Sequence, residues 1–260
     1  MKRSIQVLKP ICALSLSLVA VSAIAEEDGW TGKGEAGISI VGGNSESEII
    51  TAGLEIGKKV GKWEHSAELS ILKSESEVIV DGARETQETA DSLLVGWLSK
   101  YTFSKRAFAY GDLRYLDDEF DSFEDVTTVS AGAGYKVLMR EDVKWDVSLG
   151  LGYRDTEYDL ERVTLEELED AGLEQDIGEA TLVATSKYEN QLTDTTKFTN
   201  NTRIEGASDN SYAQNVSALT VKMNAALALS LKHDVRHNTD PAPGTTSTDR
   251  ITSFNVVYSF

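Results

Sequence analysis

From residue 143 to residue 155 apolar and polar side chains alternate. Val143, Trp145, Val147, Leu149, Leu151 and Tyr153 fall on one side, and Lys144, Asp146, Ser148, Gly150, Gly152 and Arg154 on the other. A period of two predicts a strand with one apolar face, and this one is long beside the about 5–6 residues usual in globular proteins. The same pattern recurs and predicts strands over 30–41, 46–60, 63–73, 90–102, 107–117, 126–138, 143–156, 179–192, 196–207, 212–222, 225–237 and 249–260. The clearest apolar rows are Ile50-Ala52-Leu54-Ile56, Leu93-Val95-Trp97, Val129-Ala131-Ala133-Tyr135-Val137 and Leu227-Leu229-Leu231. Two strands are weak: the row of 196–207 contains Asn200 and Thr202, and in 212–222 either face could be the apolar one.

The connections alternate in length. Tight turns are predicted at Gly61-Lys62, Phe103 to Lys105, Met139 to Asp142, Thr193-Asp194 and Met223-Asn224, whereas long polar loops are predicted over 74–89, 118–125, 157–178 and 238–248. Short turns on one rim and long loops on the other describe an antiparallel, up-and-down transmembrane β-barrel of about 12 strands. Pro241 and Pro243 both fall in the last loop, so no predicted strand loses a ladder hydrogen bond to proline.

Aromatic residues gather at the tight-turn rim: Trp30, Trp63, Trp145 and Phe198 open strands, and Tyr101, Tyr135, Tyr188, Tyr258 and Phe260 close them. Such a girdle is expected where a barrel meets the membrane surface; Tyr115 and Tyr153 are candidates for the opposite one. A soluble sandwich explains the alternation equally well, but not the long strands or the one-rim girdle. The row Phe254, Val256, Tyr258, Phe260 resembles the insertion signal that bacterial outer-membrane proteins present to the barrel assembly machinery, which is the partner this resemblance implies.

Residues 1–25 read as a secretory signal peptide, with basic Lys2, Arg3 and Lys9, an apolar run, and a cleavage site at Ala23 and Ala25. This leaves 26–260 as the barrel. The only cysteine, Cys12, is removed with the leader, so disulfides and thiolate-bound metals are not expected. The whole chain has a formal charge of -18, and loss of the leader leaves 22 Lys/Arg against 43 Asp/Glu. An acid surplus of this size argues against nucleic acid as a partner.

The strand parity sorts the charges. Lys100, Asp112, Arg114, Lys136, Lys144, Asp146, Arg154, Arg203, Lys232, Asp234 and Arg236 are all expected to line the lumen. A cation on the lipid face near the midplane would cost roughly 2–4 kcal/mol. Gly132, Gly134, Gly150 and Gly152 project nothing inward, leaving room for water or a loop, or else easing curvature. The loops are acidic: "DDEFDSFED" at 117–125 is an example, and Thr164 with Glu167 forms a capping box that suggests a short surface helix. Divalent cations at these loops, bridging to lipopolysaccharide, and outer-membrane lipid are the expected partners; no cofactor is expected. His233 and His237 lie near Asp234 and Asp240, but neither G-x-S-x-G nor H-E-x-x-H occurs, so no enzyme activity is expected. Three roles stay open: a structural or envelope-adaptation barrel with a charged lumen, a narrow ion or small-solute channel, and surface binding through the acidic loops.

The stretch "WTGKGEAGISIVGGNSESE" adds to this reading. Trp30, Gly32 and Gly34, then Gly43 and Asn44, and Trp63 after the next turn resemble the start of the salt-induced outer membrane proteins, a family long labelled a domain of unknown function. The resemblance implies an outer-membrane location and a link to salt, and it implies no catalytic residues.

Overall fold

The computed structural model describes residues 29–41, 47–80, 83–118, 123–158, 164, 176–208, 210–239 and 246–260. Its strands are β1 (Trp30–Val41), β2 (Ser47–Val60), β3 (Trp63–Val80), β4 (Ala83–Thr102), β5 (Ala107–Asp118), β6 (Phe123–Met139), β7 (Val143–Tyr158), β8 (Asp176–Gln191), β9 (Thr196–Gly206), β10 (Tyr212–Lys222), β11 (Leu227–Asn238) and β12 (Thr248–Ser259). Each pairs antiparallel with its sequence neighbour, and β12 returns to β1 to close the barrel. The expected architecture is therefore the observed one. At the turn after β2, Gly61 takes a φ of 60°, a left-handed value that glycine adopts without steric cost.

The period of two sets the two faces. Leu151 and Phe254 point outward and are 73% and 68% exposed, while inward Val183 is 0% exposed. An apolar exterior around a polar interior inverts a soluble protein and is the pattern of a barrel set in lipid. The girdle forms at the tight-turn rim: the ring centroids of Trp63 and Tyr101 lie 5.0 Å apart, those of Tyr188 and Phe198 6.3 Å, and those of Tyr258 and Phe260 6.0 Å. Lys58 joins it from outside, with its ammonium 4.4 Å from the centre of the Trp30 ring.

Three expectations need correction. The predicted loop 74–89 is largely strand: β3 and β4 continue as a hairpin to Val80 and Ala83, past an irregularity between Ser74 and Glu75. Residues 74–77 and 84–89 include no apolar side chain, so the amphipathic marker stops before the hydrogen-bonded ladder does. In β6 the outward row does not run on to Val137. A register shift between Lys136 and Leu138 sets Leu138, not Val137, beside Trp145. The inward glycines of β6 and β7 do not leave free room. A Cβ on Gly134 would lie 2.1 Å from the Phe108 ring, and one on Gly150 would lie 2.4 Å from both the Ala131 carbonyl oxygen and the Tyr110 hydroxyl. The space is filled by Phe108 and Tyr110 of β5 and by close backbone approach.

The same device shapes the closing seam. Gly32 and Phe260 exchange backbone hydrogen bonds of 2.8 and 3.0 Å. A Cβ on Gly32 would stand 2.0 Å from the Phe260 ring, so the aromatic covers the bare glycine on the outer face. On the inner face a Cβ on Gly37 would stand 1.9 Å from Oδ1 of Asn255, which is buried and also accepts a 3.1 Å bond from Thr51. The weakness of the predicted strands β9 and β10 has a structural counterpart. Asn200, Thr202, Asn215 and Ser217 face outward together and bond to one another at 2.7–3.4 Å. A lipid-facing polar patch can persist only if its donors and acceptors are paired internally, as these are.

Candidate functional site: a lumen in two halves

The lumen carries the chemistry of this molecule, and it divides by height. Toward the loop end, cations and carboxylates are knitted across the interior. Arg203 of β9 donates to Glu205 at 2.5 Å and to Asp112 of β5 at 2.9 Å. Ser130 of β6 donates to the same Asp112, and Thr128 reaches Glu205 at 3.3 Å. Arg154 of β7 pairs with Glu179 of β8, donates to the carbonyl of Asn210 and lies 4.0 Å from Glu205. Arg114 of β5 donates across the barrel to Gln214 of β10 at 2.9 Å and stacks its guanidinium 5.8 Å from the centre of the Tyr212 ring. Gln214 in turn donates to Asp234 at 3.0 Å, and Arg236 approaches Asp234 at 3.4 Å. The side chains of Arg154 and Glu205 are 5% and 3% exposed. Guanidinium suits this setting, because its planar fork meets carboxylates bidentately and it is less hydrated than ammonium. A cavity of about 70 Å³ adjoins the band, bordered by Leu116, Tyr212 and Asp249.

Toward the tight-turn end the lumen opens into a vestibule of about 630 Å³. Its cations are mostly lysines. Lys136, Asp146 and Lys187 form one cross-strand row over β6, β7 and β8. Lys100 of β4 points at the same Asp146 from 3.9 Å and lies 5.0 Å from the centre of the Phe108 ring. Among the described residues Lys59, Lys136, Lys144 and Lys187 make no ion pair within 4.0 Å. Lys232 sits between the halves, bonded to Glu35 at 2.7 Å, and Lys33 holds the same carboxylate at 3.0 Å.

All the residues expected in the lumen point into it, and apart from Lys232 they divide into these two groups. Sequence reasoning missed Glu179, Phe108, Tyr110, Tyr212 and Gln214. Glu179 opens a predicted strand on its inward parity and was readable. Phe108 and Tyr110 could have been found as the large partners of the inward glycines. Of the first-hairpin residues, Trp30, Gly32, Gly34 and Trp63 lie on the outer face near the rim, with Gly32 and Gly34 covered. Gly43, Asn44, Ala23 and Ala25 lie outside the described residues, as does the helix suggested after Thr164. His233 and His237 point outward and bond to Thr252 and Thr248, each at 2.8 Å, on the opposite face from Asp234.

Known proteins resemble this chain at three levels. A family described as "protein of unknown function, DUF481" matches residues 34–260. The uncharacterized protein YdiY of Escherichia coli (strain K12) is 25% identical over 232 residues, which cover 88% of this chain and 83% of that protein. Two solved barrels superpose loosely. The translocator domain of the autotransporter NalP from Neisseria meningitidis has a TM-score of 0.46 at 12% identity, covering 96% of this chain and 94% of its own. An outer membrane channel from Pseudomonas putida F1 has a TM-score of 0.48 at 8% identity, covering 88% of this chain and 94% of its own. Superpositions this loose carry no argument about substrate or mechanism, whereas the family match spans nearly every strand: the chain belongs to the DUF481 family of proteins of unknown function.

Proposed function

We propose that this protein is a non-enzymatic barrel of the bacterial outer membrane, with a structural role in the envelope and a lumen held shut by its loop-half ion pairs. The observation that carries the reading is the bond from Arg203 of β9 to Asp112 of β5, made across the interior by side chains no more than 15% exposed. Buried ion pairs add little net stability over apolar filling, so this band is better suited to closing a polar interior than to strengthening it. Outer-membrane lipid surrounds the apolar belt. Lipopolysaccharide, bridged by divalent cations to the acidic loops, and a part in the response to salt complete the reading.

The test is a planar bilayer recording on refolded protein, with heat-modifiability reporting that the barrel has formed. Silence is expected from the wild type, and steady current is expected when Arg203 and Asp112 are both replaced by alanine. Discrete steps from the wild type would favour a second reading, a narrow ion channel. That alternative draws on Tyr110 Oη, Arg154 Nε, Arg203 Nη2 and Tyr212 Oη, which are buried without a partner among the described residues, as groups lining a wet path would be. Placement in the membrane has its own test. Val147→Arg on the lipid face should lower stability in lipid by roughly 2–4 kcal/mol, and Ser148→Arg, which points inward, should block insertion far less. Equal effects in a vesicle-insertion assay would reverse the assigned faces.

A further inference from the structure

The tight-turn vestibule has a charge arrangement that closing the lumen does not require. Lys136, Asp146 and Lys187 are neighbours in one cross-strand row, and the Lys100 ammonium comes within 3.9 Å of Asp146 from β4. Lys100 also lies within electrostatic reach of both Lys136 and Lys187. Glu55, Glu64, Glu68 and Glu189 lie within electrostatic reach of Lys187, and Glu64 within reach of Lys100, but among the described residues none of them closes an ion pair with either lysine within 4.0 Å. Lys144, on the same inward face of β7 as Asp146, borders the group in a cavity of about 630 Å³. In the ladder Glu64 stands opposite both Lys59 and Lys100, and Glu189 stands opposite Lys144, so part of the charge is balanced at a distance. A structural interior would pair these lysines, as the loop half pairs its arginines. Lys136, Lys144 and Lys187 instead close no ion pair within 4.0 Å among the described residues, and the cavity of about 630 Å³ that they line carries more lysines than carboxylates.

We propose that this row is a binding site for a small multivalent anion, a solute carrying two or more carboxylate or phosphate groups. Lys100, Lys136 and Lys187 supply the charge, and Asp146 limits the affinity and spaces the ammonium groups. The Phe108 ring under Lys100 fixes one corner of the site. Because the pocket opens at the tight-turn rim, a ligand reaches it without crossing the arginine band, so the inference holds whether or not the barrel conducts.

The test is calorimetric titration of citrate and of tripolyphosphate into the full refolded barrel in detergent at low salt, with acetate as the monovalent control. Saturable binding of one or both multivalent anions, and none of acetate, is expected. Each unit charge at a hydrated contact is worth about fivefold in affinity. Lys136→Gln with Lys187→Gln should therefore weaken binding about tenfold or more. Asp146→Asn should tighten it about threefold or more, a gain that a merely structural aspartate would not produce. Arg114→Gln in the loop half should change it less than twofold. Preference for citrate would mark a carboxylate site and preference for tripolyphosphate a phosphate site, and either supports the proposal. No saturable binding by heat-modifiable protein overturns it, as does weaker binding in Asp146→Asn or an equal loss in Arg114→Gln.

Discussion

The two halves of the lumen spend their charges in opposite ways. The loop half uses arginine: Arg114, Arg154, Arg203 and Arg236 each meet an acceptor, and the band they make spans the interior. The tight-turn half uses lysine, and Lys136, Lys144 and Lys187 face its cavity without closing an ion pair within 4.0 Å among the described residues. The difference follows from hydration. A guanidinium tolerates burial if its fork is filled, while an ammonium keeps its water unless its pairing is very good. A barrel can thus be solid at one end and wet at the other with the same count of strands.

The largest effect that could break this contrast lies at Glu205. Glu205→Ala leaves Arg154 and Arg203 short of a buried partner, and the unfolding free energy in phospholipid vesicles should fall by about 3–5 kcal/mol. Lys187→Ala in the open half should move it by less than about 1 kcal/mol. Urea titration of both variants reads the difference, and equal losses would erase the distinction between the halves. Next in size are the inward glycines. A Cβ on Gly150 meets the backbone carbonyl of Ala131 at 2.4 Å, and Gly150→Ala should cost about 1–3 kcal/mol. A Cβ on Gly57, at the vestibule, crowds the rotatable Thr31 hydroxyl at 2.8 Å and meets the His65 carbonyl oxygen at an ordinary 3.7 Å, and Gly57→Ala should stay within about 0.5 kcal/mol of the wild type. The smallest effect sharpens the picture of the open half. Lys136→Gln with Lys144→Gln should raise the unfolding midpoint slightly at low salt, and the gain should vanish near 1 M salt, where the screening length falls to about 3 Å. A gain that survives high salt would point to packing rather than repulsion.

Most of this architecture is legible in the sequence, for a specific reason. Lipid on one side and water on the other force every spanning residue to declare its face, so the alternation in β7 or β11 gives both the strand and its orientation. Legibility fails where that pressure lifts. Beyond Lys73 the β3–β4 hairpin runs on without an apolar residue at 74–77 or 84–89, and the pattern reads as loop. At Val137 one extra residue shifts the ladder with no change in composition to announce it. The candidate site is legible only as a list of inward side chains. Arg203 and Asp112 are 91 residues apart, and their meeting depends on the curvature of the whole wall, which no local pattern encodes. The split between arginine and lysine was present in the sequence all along, but it acquires meaning only once the strands are stacked by height.

The glycine seats at the seam bear on the order in which this barrel is built. Neighbouring strands can pair as hairpins as soon as they exist, but β1 and β12 join residues from opposite ends of the barrel sequence, such as Lys33 and Ser259, and such pairings form slowly. Their ladder is also short, running from Lys33–Ser259 to Ile38–Phe254, where β3 and β4 pair from Trp63–Tyr101 to Val80–Ala83. The last intermediate is therefore an open sheet with two bare edges, and its danger is closing one step out of place. A slip of two residues keeps every side chain on its correct face, so the apolar pattern cannot detect it. The seats can: slipped one way, Phe260 would still find a glycine at Gly34, but Asn255 would meet Ser39. Slipped the other way, the two would meet Trp30 and Glu35. Only the native register places the ring over Gly32 and the amide over Gly37 together, so the seam proofreads its own closure.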